Sequence, residues 1–92
     1  MASKRVYKYP LSFDGPTMLE LTGPIVHVGL QYDGYNRHGN VCLWAEAEVH
    51  PPRLRTFSVH GTGHDIDGPA QHVGSTIDQI AGAVWHVYEP KS

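Results

Sequence analysis

The sequence is poor in the features that mark several large classes of protein. Its 92 residues contain a single cysteine, Cys42, so no disulfide can form within the chain. No apolar run approaches the roughly 20 residues that span a bilayer, because Gly, His or a charged residue interrupts each candidate. The first residues, MASKRVYKYP, show no pattern typical of a signal peptide. We therefore expect a cytosolic protein that does not enter a membrane.

Length and charge narrow the classes further. A chain of 92 residues is long enough for one domain, residues 1–92, with frayed ends expected at 1–4 and 90–92. Seven Lys and Arg against nine Asp and Glu give a net charge of -2, which does not favour sequence-specific nucleic-acid binding. Because so small a domain buries a limited fraction of its surface, we expect a homo-oligomer. The seven histidines can change the net charge between pH 7 and 5.

Short apolar segments between Gly, Pro, Asn and Asp are abundant. No long stretch keeps the 3.6-residue apolar period of a helix. The pattern predicts a mainly β fold, a small antiparallel sandwich or barrel of about six to seven strands. The predicted strands are Val6–Leu11, Met18–Leu21, Ile25–Tyr32, Val41–Val49, Leu54–Gly61, a weak strand at His72–Ile77, and Ala83–Glu89. The segment Ser75–Gly82 is open between a strand, a turn and a short helix, since Ser75 can cap a helix and Gly82 can end one.

Period-two alternation assigns the faces of these strands. It places Trp44 on the wetter face of its strand, beside two glutamates. In the last strand either Trp85 and Val87, or Val84, His86 and Tyr88, can face the core. The residues predicted to point inward are Tyr7, Tyr9, Leu11, Val26, Val28, Leu30, Tyr32, Val41, Leu43, Ala45, Ala47, Val49, Phe57 and Val59.

The turn Gly61-Thr62-Gly63-His64-Asp65 is the strongest local signal. Two glycines around a threonine allow successive backbone N–H groups to converge on an anion such as phosphate. The alternative is a strand-ending turn in which Asp65 bonds its own backbone. The segment lacks the third glycine of a dinucleotide-binding motif and the Gly-Lys-Ser/Thr ending of a P-loop.

Aromatic and basic residues suggest a surface that stacks a base and pairs with phosphates. They are Trp44, Trp85, Tyr35, Tyr88, Arg37, Arg53 and Arg55. The alternative is that Trp44 and Trp85 belong to the core or to a subunit interface, as large aromatics in small domains commonly do. The candidate ligand-binding residues are Gly61, Thr62, Gly63, His64, Trp44, Arg55, His60 and Trp85.

The spacing of the histidines and aspartates gives less support to a metal site or a catalytic site. The histidines and aspartates at 60, 64, 65, 67, 72 and 86 match no metal-ligand pattern, so we predict no metal and no cofactor. Cys42 is expected to be a small buried residue and not a nucleophile. An enzyme would use His64 or His86 as general base, with Asp65 or Asp67 orienting it or holding a metal.

Five segments taken together resemble a family of small phage-encoded proteins of unassigned function. They are Lys8-Tyr9-Pro10-Leu11, Cys42-Leu43-Trp44-Ala45, Phe57-Ser58-Val59-His60-Gly61-Thr62-Gly63-His64, Val73-Gly74-Ser75 and Trp85-His86-Val87-Tyr88-Glu89. The resemblance implies a phage origin, a compact β fold and expression in the host cytoplasm, and it carries over no site residue. It favours a strand or loop over Ser75–Ile80. The Asp33–Asn40 loop and the segment Asp78-Gln79-Ile80 depart from the family pattern.

Three hypotheses of function follow. The first is a phage accessory binding protein that sequesters a nucleotide-type signalling molecule of the host, which requires no catalytic machinery. The second is a protein–protein inhibitor or an assembly module that docks a host or virion partner through an edge strand or the Trp44 face. The third is a histidine-dependent hydrolase.

Overall fold

The computed structural model describes residues 4–32, 39–66 and 68–91. Over these residues the chain forms seven strands and no helix, which confirms the mainly β prediction. They are β1 (Arg5–Pro10), β2 (Thr17–Leu21), β3 (Ile25–Gln31), β4 (Asn40–Ala47), β5 (Arg53–Gly61), β6 (Ala70–Asp78) and β7 (Ala83–Pro90). No helix in this part of the chain could cross a membrane. Most of the predicted Asp33–Asn40 loop and Asp67 lie outside the described residues.

The strands form two antiparallel sheets. One has three strands in the order β1-β4-β3, and the other has four in the order β2-β5-β7-β6. Each sheet ends in two edge strands, so the fold is a small sandwich and not a closed barrel. Lys91 extends the pairing at the end of β7, because its N–H donates to the carbonyl of Pro69 at 2.9 Å.

The core fills the space between the sheets. On β4, Val41, Leu43 and Ala45 alternate inward and are at most 1% exposed. Phe57 and Val87 on the four-stranded sheet are fully buried opposite them. Removing each large side chain from water stabilises the fold by about 1.5–3 kcal/mol. The core therefore follows from the alternation that the sequence shows on β4 and β5. On β7, where the sequence left both faces open, Val87 and Trp85 take the inward positions.

Val26 does not point inward as predicted, since half of its surface is exposed. The register against β4 shifts between Ile25, which pairs with Ala45, and His27, which pairs with Trp44. A β-bulge at this place inserts one extra residue, so Ile25 takes the inward position and Val26 faces solvent. Tyr32 is also exposed, because β3 ends before it. Val49, predicted to end its strand on the inward face, is 80% exposed because β4 ends at Ala47.

Tyr7 is a second exception on an edge strand. It shares a face with Ala45, its partner in the register, but its side chain remains 45% exposed. Strand β1 pairs only with β4, so little of the opposite sheet covers the Tyr7 ring. Tyr9 and Leu11, further along the same face, contact or join the core.

Strand pairing decides the conformation of the 75–82 segment. Ser75, Thr76 and Ile77 pair with β7, and the strand continues to Asp78. A turn follows, in which Oδ1 of Asp78 accepts hydrogen bonds from the N–H groups of residues 80 and 81. Gly82 completes it with φ of 68°. The short helix is excluded: the segment is strand as far as Asp78 and turn from 79 to 82, in agreement with the strand or loop that the resemblance favoured.

A second bulge lies in β6 and brings the two sheets together. His72 pairs with Tyr88 and Gly74 with Val87, so Val73 is an extra residue. His72 and Ser75 consequently face the same side although they are three residues apart. Gly74 faces the other sheet, where an added Cβ would lie 2.6 Å from Cγ2 of Val28. Only glycine permits so close an approach of β6 to β3.

Candidate functional site

Three neighbouring strands place a compact array of polar side chains on the outer face of the four-stranded sheet. One row across the sheet consists of Ser75, His86 and His60, which are successive register partners. The next row consists of His72, Tyr88 and Ser58, paired in the same way. Thr62 adds a hydroxyl just beyond β5. We call this array the imidazole–hydroxyl face: Ser58, His60, Thr62, His72, Ser75, His86 and Tyr88.

A continuous series of hydrogen bonds runs across the face. Oγ of Ser75 lies 2.8 Å from Nε2 of His72 and 2.8 Å from Nδ1 of His86. The other ring nitrogen of His86, Nε2, lies 3.0 Å from Oγ1 of Thr62. A neutral imidazole has one donor and one acceptor nitrogen, so this series can be satisfied in either direction. The His86 ring is thereby fixed on both sides by hydroxyl groups.

Aromatic contacts order the second row. The Tyr88 ring centroid lies 5.8 Å from that of His60 and 5.3 Å from that of His72, both edge to face. Ser58 holds the His60 ring through a 2.8 Å contact to Nε2. Tyr88 therefore stands between two imidazoles whose ring planes are set by neighbouring side chains.

The face carries groups that can become cationic and no carboxylate of its own. The adjacent acid on β7, Glu89, points to the opposite side of the sheet. There its two carboxylate oxygens accept hydrogen bonds of 2.7 Å from the guanidinium of Arg55. This pairing lowers the pKa of Glu89 and raises that of Arg55. Imidazole and hydroxyl groups without a competing carboxylate suit an anionic ligand.

The glycine turn borders this face. Residues 61–64 form a β-turn in which the N–H of His64 donates to the carbonyl of Gly61 at 3.1 Å, and Gly63 has φ of 87°. The N–H of Gly61 in turn donates to Nδ1 of His64 at 3.1 Å. The N–H groups of Gly61 and His64, which were predicted to help bind an anion, thus donate hydrogen bonds within the turn instead. The segment closes one end of the imidazole–hydroxyl face.

A depression of about 200 Å³ lies where the turn meets the face, lined by residues 60–64, Ile66, His86 and Tyr88. Of the candidate ligand-binding residues, the structure brings together His60, Gly61, Thr62, Gly63 and His64 around it. Thr62 contributes its side chain through the bond to His86, and not only its backbone.

The remaining three candidates lie elsewhere. Trp85 faces the interior with Val87, and its ring centroid is 4.8 Å from that of Phe13. Arg55 is bound to Glu89 on the inner side of the same sheet. Trp44 lies on the other sheet, with its ring 5.2 Å from that of His27. The two tryptophans and the guanidinium do not form one surface.

Sequence reasoning missed Ser58 and Ser75 as site residues, counted Tyr88 with the aromatic surface, and considered His72 only as a member of a possible metal or acid–base cluster. The signal for them was alternation: Ser58-x-His60 and His86-x-Tyr88 each place two polar side chains on one face of a strand. The register that sets them side by side depends on which strands pair. Alternation alone does not specify that.

Metal and thiol chemistry are not supported by the geometry. Within residues 4–32, 39–66 and 68–91, no group of three or more His, Cys, Asp or Glu side chains could hold a metal ion. Cys42 is 2% exposed, and burial raises the pKa of its thiol although the charge of Lys8 opposes this. Cys42 is a buried residue, as expected.

Known proteins provide a family for the chain but no characterised relative. No curated protein matches it, and no solved structure matches it. A family of domains does match, over residues 2–92, which include all seven strands and every residue of the imidazole–hydroxyl face. The chain therefore belongs to the family described as "Domain of unknown function (DUF7352)".

Proposed function

We propose that this chain is a binding protein that captures a small phosphate-bearing molecule of nucleotide type on the imidazole–hydroxyl face. The observation that carries the proposal is the hydrogen-bonded series Thr62–His86–Ser75–His72, which lies open on the sheet and contains no carboxylate. Phosphate oxygens accept hydrogen bonds from protonated imidazoles and hydroxyls, and such charge-assisted bonds are stronger than neutral ones.

The same face offers contacts for a base or sugar. Tyr88 and the two imidazoles beside it present aromatic edges and faces next to the 200 Å³ depression. Stacking of a base on an aromatic side chain contributes about 1–3 kcal/mol without requiring a particular base. A nucleotide would place its phosphate at the hydroxyls of Thr62 and Ser75 on either side of His86, and its ring system towards Tyr88.

The proposed setting is a phage accessory protein in the host cytoplasm that withholds a signalling nucleotide. The resemblance to small phage-encoded proteins supports this setting. Sequestration requires only binding and no catalytic residues. The ligand would be recovered unchanged.

Isothermal titration against inorganic phosphate, cyclic nucleotides and cyclic ADP-ribose isomers tests the proposal. We expect heat of binding for at least one nucleotide. His86→Gln should weaken binding at least about tenfold, since it removes the imidazole that orients the hydroxyls of Thr62 and Ser75, and each hydrogen bond to a charged phosphate contributes about 1.5–3 kcal/mol.

A matched control tests whether the loss of any histidine, and not only of one on the imidazole–hydroxyl face, weakens binding. His50 is exposed in the turn before β5 and contacts Glu48, away from the face. His50→Gln should bind as the wild type does. Flat traces across the panel, or equal affinity of His86→Gln and wild type, would contradict the proposal.

A second candidate function is hydrolysis, which the 2.8 Å contact between Oγ of Ser75 and Nδ1 of His86 favours. A serine hydroxyl beside an imidazole is the arrangement of an activated nucleophile and its base. Here Thr62, and not a carboxylate, orients the imidazole. Mass spectrometry of the nucleotide after long incubation distinguishes the candidates, because hydrolysis requires a product that is absent with Ser75→Ala.

A further inference from the structure

A cavity of about 490 Å³ lies on the inner side of the four-stranded sheet, at one end of the sandwich. The turns after β5 and β6 reach it with His64 and Ala81, and the loop between β1 and β2 reaches it with Phe13. We call it the Trp85 cavity, and its described lining is Phe13, Gly39, Val59, His64, Asp78, Ala81 and Trp85. It is large enough for a small organic molecule, since ligand pockets usually measure about 300–1,000 Å³.

The wall of this cavity contains a buried hydrogen-bond donor that the chain does not satisfy. Nε1 of Trp85 is buried, and no group in residues 4–32, 39–66 and 68–91 accepts a hydrogen bond from it. An indole N–H can donate but cannot accept, so only an acceptor can replace the water that it loses on folding. A buried tryptophan usually finds such a partner, and a donor left without one destabilises the fold. A ligand that brings an acceptor into the cavity would remove this cost.

Aromatic rings form much of the described lining. The ring centroids of Phe13 and Trp85 are 4.8 Å apart, and their planes are tilted by 58°. The His64 ring is held beside Gly61, whose N–H donates to Nδ1 of His64 at 3.1 Å. An added Cβ at Gly61 would lie 2.9 Å from Cε1 of that ring, so the glycine makes room for this wall. Rings arranged in this way favour a flat aromatic ligand, which they contact by face or edge.

Phe13 is the part of the wall that can give way. Because Nε1 of Trp85 is buried, an acceptor reaches it only when a neighbouring side chain moves. The backbone on both sides of Phe13 is fixed, since the N–H of Ser12 donates to Oγ1 of Thr17 at 2.9 Å and that of Asp14 donates to Oγ of Ser12 at 3.1 Å. The Phe13 side chain itself is 39% exposed. It can therefore rotate towards solvent while the loop keeps its hydrogen bonds.

We propose that the Trp85 cavity binds a planar heteroaromatic molecule that accepts a hydrogen bond from Nε1 of Trp85. A ring nitrogen or carbonyl oxygen of the ligand meets the edge of the indole, while the ligand faces contact the rings of Phe13 and His64. This site is separate from the phosphate positions at Thr62 and Ser75 and requires neither hydroxyl.

NMR titration with quinoline and naphthalene tests the proposal, because the two molecules have the same shape and only quinoline has an acceptor nitrogen. We expect quinoline to bind the wild type. Trp85→Phe keeps a ring in the wall but removes the donor, so it should weaken quinoline binding at least about threefold more than naphthalene binding. In the wild type, the indole N–H signal of Trp85 should move downfield with quinoline and much less with naphthalene.

Trp44→Phe is the matched control, since Trp44 lies on the other sheet beside His27. This variant should leave the ratio of the two affinities unchanged, and it assigns the two indole signals. Equal losses for both probes in a folded Trp85→Phe protein, or a Trp85 signal that quinoline does not move, would overturn the proposal. Should circular dichroism show that Trp85→Phe unfolds, the wild-type indole signal decides alone. Neither probe carries a phosphate, so these results are independent of the nucleotide titration.

Discussion

The hydroxyl of Tyr32 donates a hydrogen bond to Oδ1 of Asp78, joining residues 46 positions apart in the sequence. Asp78 is fully buried, and the same oxygen accepts hydrogen bonds from the N–H groups of Ile80 and Ala81. The end of β3 is thereby fixed to the turn that follows β6. The bond to Asp78 raises the pKa of Tyr32.

Tyr32→Phe should lower the midpoint of thermal unfolding by a few degrees, because Asp78 loses a donor while the ring remains. Since the raised pKa means that the neutral phenol is favoured in the folded state, this stabilisation is present below about pH 10 and declines as pH rises through the folded-state pKa. Tyr7→Phe is the control, with 45% exposure against 41% for Tyr32. Equal midpoints for both variants at pH 7 would show that the Asp78 bond adds no stability.

Gly74→Ala should destabilise the fold by about 1–3 kcal/mol, because the new Cβ would lie 2.6 Å from Cγ2 of Val28. Val28→Ala makes room for it, so the double variant should be more stable than the sum of the two single effects predicts. Denaturant unfolding measures all three. Gly15→Ala, where a Cβ would meet nothing within 4 Å, should be nearly neutral. Additive effects at 74 and 28 would argue against the close approach of β6 to β3.

Glu89→Gln should reduce stability at pH 7 by up to about 1 kcal/mol, since the amide cannot replace both charge-assisted bonds to Arg55. The pairing lowers the pKa of Glu89 below its ordinary value of 4.5. The stabilisation is therefore present above about pH 4.5 and is lost as pH falls through the folded-state pKa. Denaturant curves of wild type and variant should converge in acid, and a constant difference would exclude the ion pair as its source.

The neutral His64 ring should carry its hydrogen on Nε2, because Nδ1 accepts the hydrogen bond from the N–H of Gly61. Long-range proton–nitrogen NMR spectra distinguish the two tautomers directly. Gly63→Ala, which strains a turn with φ of 87°, should weaken this preference. Finding the hydrogen on Nδ1 in the wild type would contradict the hydrogen bond from the N–H of Gly61 to this nitrogen.

Alternation predicted the fold well where strands are regular. Phe57 and Val59 face inward on β5, and Leu43 and Ala45 do so on β4, because a half-buried strand requires apolar residues at every second position. The same rule failed at Val26, where a bulge adds a residue. A bulge depends on how two strands twist against each other, which a single strand's sequence does not reveal.

The site was harder to predict because it depends on register. The sequence pointed to His60 and the 61–64 turn, and these lie together, but it could not show that Ser75, His86 and His60 form one row. Nor could composition assign Trp85 to the interior and Trp44 to the other sheet. Both are large aromatics that follow an apolar residue, Leu43 or Val84, and only the pairing of strands separates their surroundings.

Because Val73 is the extra residue of a β-bulge, β6 can lose it without a change in the pairing of the residues on either side. In an ordinary strand, loss of one residue turns every later side chain to the opposite face. Here the pairs His72–Tyr88 and Gly74–Val87 already skip Val73. A chain lacking that residue would keep His72 and Ser75 on the outer face of the sheet and Gly74 on the inner face. Variation in length at this position can occur without rearranging the surface that its neighbours build.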